Sequence, residues 1–159
     1  MTKKHQYIED AVIALFTSSH CSVIFESVAD IQGFDQNGAK IIGEFKSEAE
    51  HRNNYSWWAY WKDILTPYYS SKLLAIKPEN KRWIATVDGQ LREYCNLERV
   101  DIGYLIVENY GPINQDIINA LNFLKSEKRI RKYSGPIGNS EKLSYYTISY
   151  CRAEHSNKH

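Results

Sequence analysis

The chain has 159 residues, 43% of them hydrophobic and 25% charged, which is ordinary for one globular domain with room for a sizeable core. The 20 Lys and Arg nearly cancel the 19 Asp and Glu, so bulk charge announces no nucleic-acid partner, and any such surface has to be local. No apolar run reaches transmembrane length, and the first residues lack the apolar core of a secretory signal.

Cys21, Cys95 and Cys151 fit neither a zinc spacing nor a disulfide framework, so a reducing, cytoplasmic setting is expected. Residues 6–17 place Ile8, Ala11, Val12, Leu15 and Phe16 at helical spacing, with Glu9 at the border of that stripe. Ser18-Ser19-His20 breaks the pattern, and Cys21 to Glu26 reads as a short strand.

The next stretch, to Lys46, reads as two strands joined by a turn. Strand periodicity puts Glu44 and Lys46 on one face and Ile41 and Phe45 on the other. A two-residue Asn37-Gly38 turn would pair Ile31 with Glu44 and turn Asp30 to the wrong face. A three-residue loop, Gln36-Asn37-Gly38, makes Asp35 and Ala39 the closing pair and sets Asp30 opposite Glu44. That loop needs a left-handed third residue, which Gly38 supplies. Two carboxylates and a lysine then converge, the residue types of a metal-dependent site.

Beyond a polar stretch, Tyr55 to Leu65 has helical spacing, with Trp58, Trp61 and Leu65 on one face. Pro67 predicts its end near Thr66. Trp57, Trp58 and Trp61 are candidates for a core or an oligomer surface before a base-stacking one. Lys77-Pro78-Glu79-Asn80 reads as a turn, Arg82 to Val87 as a strand buried on both faces, Asp88-Gly89 as its end, and Gln90 to Leu97 as a short helix. Ile102 to Val107 is a second buried strand, and the two would form a parallel βαβ unit.

Pro112 and Asn114 open a helix with Ile117, Ile118, Leu121 and Leu124 on one face. Its far end carries Lys125, Lys128, Arg129, Arg131 and Lys132. Five cations in eight residues exceed what helix capping needs, so a phosphate-contacting patch stands beside the capping explanation. Leu143 to Tyr150 reads as a last strand.

Ala29-Asp30-Ile31, with thirteen residues between the aspartate and Glu44-x-Lys46, in this order of elements, resembles the PD-(D/E)xK nuclease superfamily. That superfamily includes restriction enzymes, Holliday junction resolvases and some homing endonucleases. Its usual proline before the aspartate is Ala29 here. The resemblance covers about residues 6–110 and implies an α/β, restriction-endonuclease-like core, a mixed sheet flanked by helices. Residues 111–151 would add a C-terminal helix and strand to one domain spanning 1–159.

The resemblance implies Asp30, Glu44, the backbone carbonyl of Phe45 and Glu9 as ligands of Mg²⁺, with Mn²⁺ a substitute; Glu26 rivals Glu9 for the last place. Carboxylate and carbonyl oxygens suit so hard a cation. Lys46 would hold or deprotonate the attacking water. The expectation is an endodeoxyribonuclease of homing or restriction type acting on double-stranded DNA. One site per chain implies a homodimer or higher homo-oligomer. A junction resolvase, or a non-catalytic DNA-binding or assembly module on the same scaffold, are the alternatives.

Overall fold

The computed structural model describes residues 22–24, 31–34, 38–46, 63–69, 75–76, 78–108, 113–135 and 143–151. Strands β1 (Ser22–Ile24), β2 (Ile31–Phe34) and β3 (Lys40–Lys46) form an antiparallel meander. β2 pairs Ile31 with Gly43 and Phe34 with Lys40. This is the register that the three-residue loop predicts, and Gly38 has a φ of 81°, the left-handed conformation that the loop demands.

Residues 63–69 are helical (α1). The helix therefore runs past Pro67 rather than ending near Thr66. One missing N–H weakens it, but Leu65 and Tyr69, one turn apart, are both buried, and burial of two such side chains is worth about 1.5–3 kcal/mol each.

The largest departure from expectation lies between residues 78 and 98. Pro78–Ala85 is a helix, α2. It passes without a break into a π-helical turn, Thr86–Leu91, and then into α3, Arg92–Glu98. Arg82 to Val87 is thus helix, not strand, and Asp88-Gly89 lies inside the helical rod. Trp83, Ile84, Ala85, Thr86 and Val87 are all buried, so the segment has no polar stripe for periodicity to reveal. Pro78, read as part of a turn, occupies the first helical position, where its missing N–H costs nothing.

α3 closes with Arg99 left-handed (φ 58°) and Val100 N–H bonded to Cys95 O at 2.9 Å, a Schellman closure.

Strand β4 (Ile102–Glu108) then pairs with β3 in parallel. The parallel unit is real, but its first strand is β3 and its crossover contains the helical rod. Helix α4 (Ile113–Ser126), β5 (Ile130–Ser134) and β6 (Leu143–Tyr150) complete the described elements. The described residues form an α/β fold, a mixed sheet flanked by helices, with six strands among them in the order β1-β2-β3-β4-β6-β5. β6 inserts between β4 and β5, so the C-terminal addition belongs to the same sheet.

The described helices pack on one sheet face around Ile42, Leu105, Val107, Tyr146, Ile148 and Tyr150. Ile31, Ile41, Phe45, Ile106 and Tyr145, on the other face, are buried too, which explains the unbroken apolar run of β4. The layers approach closely at Gly103, where a Cβ would stand 2.9 Å from Leu91 Cγ and 3.1 Å from Cys95 Sγ.

Candidate functional site

The pleat of β3 sends Lys40, Ile42, Glu44 and Lys46 toward the helical rod. Lys40 Nζ donates to Glu98 Oε1 at 2.7 Å, and Gln32 Nε2 donates to the same oxygen at 3.1 Å. At the other end of β3, Lys46 Nζ donates to Gln90 Oε1 at 2.7 Å, and Gln90 Nε2 donates to the Tyr94 hydroxyl at 3.5 Å. Glu44, between the two lysines on this face, is 1% exposed.

A carboxylate that deep is costly unless cations or donors surround it. Glu44 lies near enough to the Tyr150 phenol to influence it. Burial pushes the Tyr150 pKa well above the ordinary phenol value; Cys95, Asp88 and Glu44 add to the rise and Arg92 opposes it.

Two residues from Gln90 along the rod, Asp88 forms a second polar centre. Its Oδ1 accepts from Arg92 Nε at 2.6 Å, and its Oδ2 accepts from Arg129 Nε at 2.9 Å and from the Tyr69 hydroxyl. The Asp88 side chain is wholly buried. Tyr69 stays protonated because burial raises its pKa, and the adjacent Asp88 charge raises it further against the opposing pull of Arg129. Tyr150 closes the cluster, its hydroxyl donating to Val87 O at 2.6 Å and its ring lying 4.8 Å from the Arg92 guanidinium.

The Asp88 centre and Gln90 escaped the sequence reading because residues 82–89 looked like a strand and its turn. The i, i+4 spacing of Asp88 and Arg92 was the available signal.

Among the expected site residues, Glu44, Phe45 and Lys46 lie on β3. Asp30, Glu9, Glu26, Trp57, Trp58 and Trp61 lie outside the described residues. Among the described residues no three Asp, Glu, His or Cys side chains are grouped to hold a metal, and Glu44 alone represents the expected carboxylates there.

The five cations do not share a helix end. Lys125 is in the last turn of α4, and Lys128 (φ 58°) is the left-handed residue that closes it. Arg129 turns inward to Asp88. Arg131 and Lys132 are on β5, with Arg131 Nη2 donating to Tyr150 O at 3.3 Å. Lys125, Lys128, Arg131 and Lys132 are exposed.

No family model matches the chain, and no curated protein or solved structure does so either. Among the described residues, no helix is long and apolar enough to cross a membrane.

Proposed function

We propose that the protein is a Mg²⁺-dependent endonuclease acting on double-stranded DNA, built on a restriction-endonuclease-like core and assembled as a homo-oligomer. The observation that carries this reading is the hairpin register: β2 and β3 pair so that Ile31 faces Gly43, the alignment that a convergence of Asp30 and Glu44 would require. The parallel pairing of β3 with β4 supports it, since Glu44, Phe45 and Lys46 are then held in register against Leu105, Ile106 and Val107 of a buried strand.

Asp30, Glu44, the carbonyl of Phe45 and Glu9 would hold the cation, which would polarise the scissile phosphate and acidify a bound water. Glu44 would contribute a hard oxygen donor from a buried strand of the sheet. Lys46, kept in place by Gln90, would orient the attacking water and offset the negative charge that develops on the phosphate. The exposed lysines after α4 and on β5 would meet backbone phosphates.

The burial of Glu44 favours a second reading, in which the β3 polar face is structural and the scaffold only binds DNA or assembles. Incubation with supercoiled plasmid in Mg²⁺ and in EDTA separates the two. Nicking or linearisation in Mg²⁺ alone supports the nuclease. Retardation of the plasmid without cleavage in either buffer supports the module.

A further inference from the structure

Tyr68 is the most exposed aromatic side chain among the described residues near the Asp88 centre, at 62%, and it does not stand alone. The Arg129 guanidinium lies 4.6 Å from the centre of its ring and 5.7 Å from that of Tyr69. Arg129 itself is fixed, because its Nε donates to the buried Asp88 carboxylate at 2.9 Å. The buried centre therefore reaches the surface as a guanidinium lying over a solvent-facing ring.

The turn that delivers Arg129 brings two more cations. Lys128 N–H bonds to Lys125 O at 3.0 Å and Arg129 N–H to Leu124 O at 2.9 Å, a closure that leaves Lys125 and Lys128 exposed just before the anchored arginine.

We infer that Tyr68, backed by Arg129 and with Lys125 and Lys128 exposed on the turn that delivers that arginine, is a stacking platform for an unpaired base of single-stranded nucleic acid. A cation lying over a ring fixes its orientation and draws on its electrons, which favours stacking of an electron-rich purine on the ring. Bases held in a duplex cannot offer a face to such a platform, whereas an unstacked base can. An acidic protein segment would use the lysines and leave the ring idle, so the ring's exposure favours nucleic acid. The platform shares a class of partner and the exposed lysines with the nuclease reading but none of its catalytic groups, so either stands without the other.

The test measures binding in EDTA, where no cleavage intervenes, by fluorescence anisotropy. The probes are a labelled oligo(dA), an abasic oligonucleotide of equal length and a blunt duplex. The intact protein is expected to bind oligo(dA) about tenfold more tightly than the abasic strand, the effect of roughly one stacked base. Tyr68→Ala is expected to abolish that difference and Tyr68→Phe to preserve it, while affinity for the duplex stays unchanged in both. Equal affinity of the intact protein for oligo(dA) and the abasic strand, or equal loss on single strand and duplex in Tyr68→Ala, overturns the proposal. So does tight binding of polyglutamate, which would mark the patch as a general anion surface.

Discussion

Lys46 Nζ and Gln90 Oε1 lie 2.7 Å apart, a contact that ties the last residue of β3 to the π-helical turn of the rod above it. A π turn re-aims the side chains that follow it and recurs at functional positions, and here the residue within it that meets Lys46 is Gln90. Gln90→Ala is expected to lower the rate of Mg²⁺-dependent cleavage about 10- to 100-fold, as for groups that orient a site residue. The cost in stability should be only about 1 kcal/mol, since the bond is partly exposed. Single-turnover cleavage and urea unfolding of the same variant check both halves. An unchanged rate would leave the contact purely structural.

Lys46→Ala and Asp30→Asn are each expected to abolish cleavage while the protein still folds and still retards DNA. Transition-state stabilisation by a water-positioning charge or a metal ligand is worth several kcal/mol. Mg²⁺ or Mn²⁺ should support cutting, and Ca²⁺ should support binding with little turnover because its looser coordination positions water poorly. A variant that cuts at the parental rate removes its residue from the site, and parental activity in EDTA removes the metal.

Asp88→Asn keeps the shape of the buried centre but removes the charge that Arg92 and Arg129 share. Uncompensated buried cations should cost about 3–5 kcal/mol, read as a lower urea midpoint with an unchanged slope. Alkaline pH should weaken the same region. Burial raises the pKa values of Tyr69 and Tyr150 in the folded state, so their stabilising contribution is complete below the ordinary phenol value of 10.0 and is lost as pH rises above it. Each phenol then adds about 1.4 kcal/mol of destabilisation per pH unit. Tyr69→Phe should be less stable than the parent at neutral pH, and its stability should fall less steeply above pH 10. Parallel pH curves for the two proteins would refute the assignment.

Gly103→Ala tests how tightly the helical rod sits on the sheet. Its added methyl group would meet the Leu91 side chain at 2.9 Å and Cys95 Sγ at 3.1 Å. Overpacking of this kind costs about 1–3 kcal/mol. Leu91 directly follows Gln90, so cleavage should fall along with stability. Cys95→Ala in the same chain should recover part of the loss by making room. No recovery would place the strain elsewhere.

The parts of the fold legible in sequence were those where one physical signal acted alone. Gly38, at the third position of a three-residue loop, indicated the hairpin register, the apolar run of β4 indicated a buried strand, and Leu143 to Tyr150 indicated a last strand. Ile117, Leu121 and Leu124 marked the inward face of α4. Residues 82–87 were not legible because a helix buried on every side and a buried strand share an all-apolar signature. Only Pro78 and the i, i+4 pair Asp88 and Arg92 favoured helix. With that segment misread, the polar partners of β3 and of Arg129 were hidden as well, since both depend on which way the rod turns its side chains.

Arg129 separates cations that can meet DNA from one that serves the fold. As a continuous basic cluster, residues 125–132 would lose phosphate contacts roughly in proportion to the cations removed. The structure divides the cluster: Lys125, Lys128 and Lys132 are exposed, whereas Arg129 is committed to Asp88 at 2.9 Å. Each neutralised phosphate contributes about 0.9 to the log-log salt slope of duplex binding. Replacing Lys125, Lys128 and Lys132 together with alanine should therefore flatten that slope by roughly two to three units, with equal loss on specific and random sequences and little change in unfolding. Arg129→Ala should do the reverse, lowering stability by several kcal/mol as Asp88 loses a partner while the slope per folded molecule stays near the parental value. A salt titration of duplex affinity, with a urea unfolding curve for each protein, decides the matter. If the triple variant keeps the parental slope, duplex DNA is held by another face of the protein.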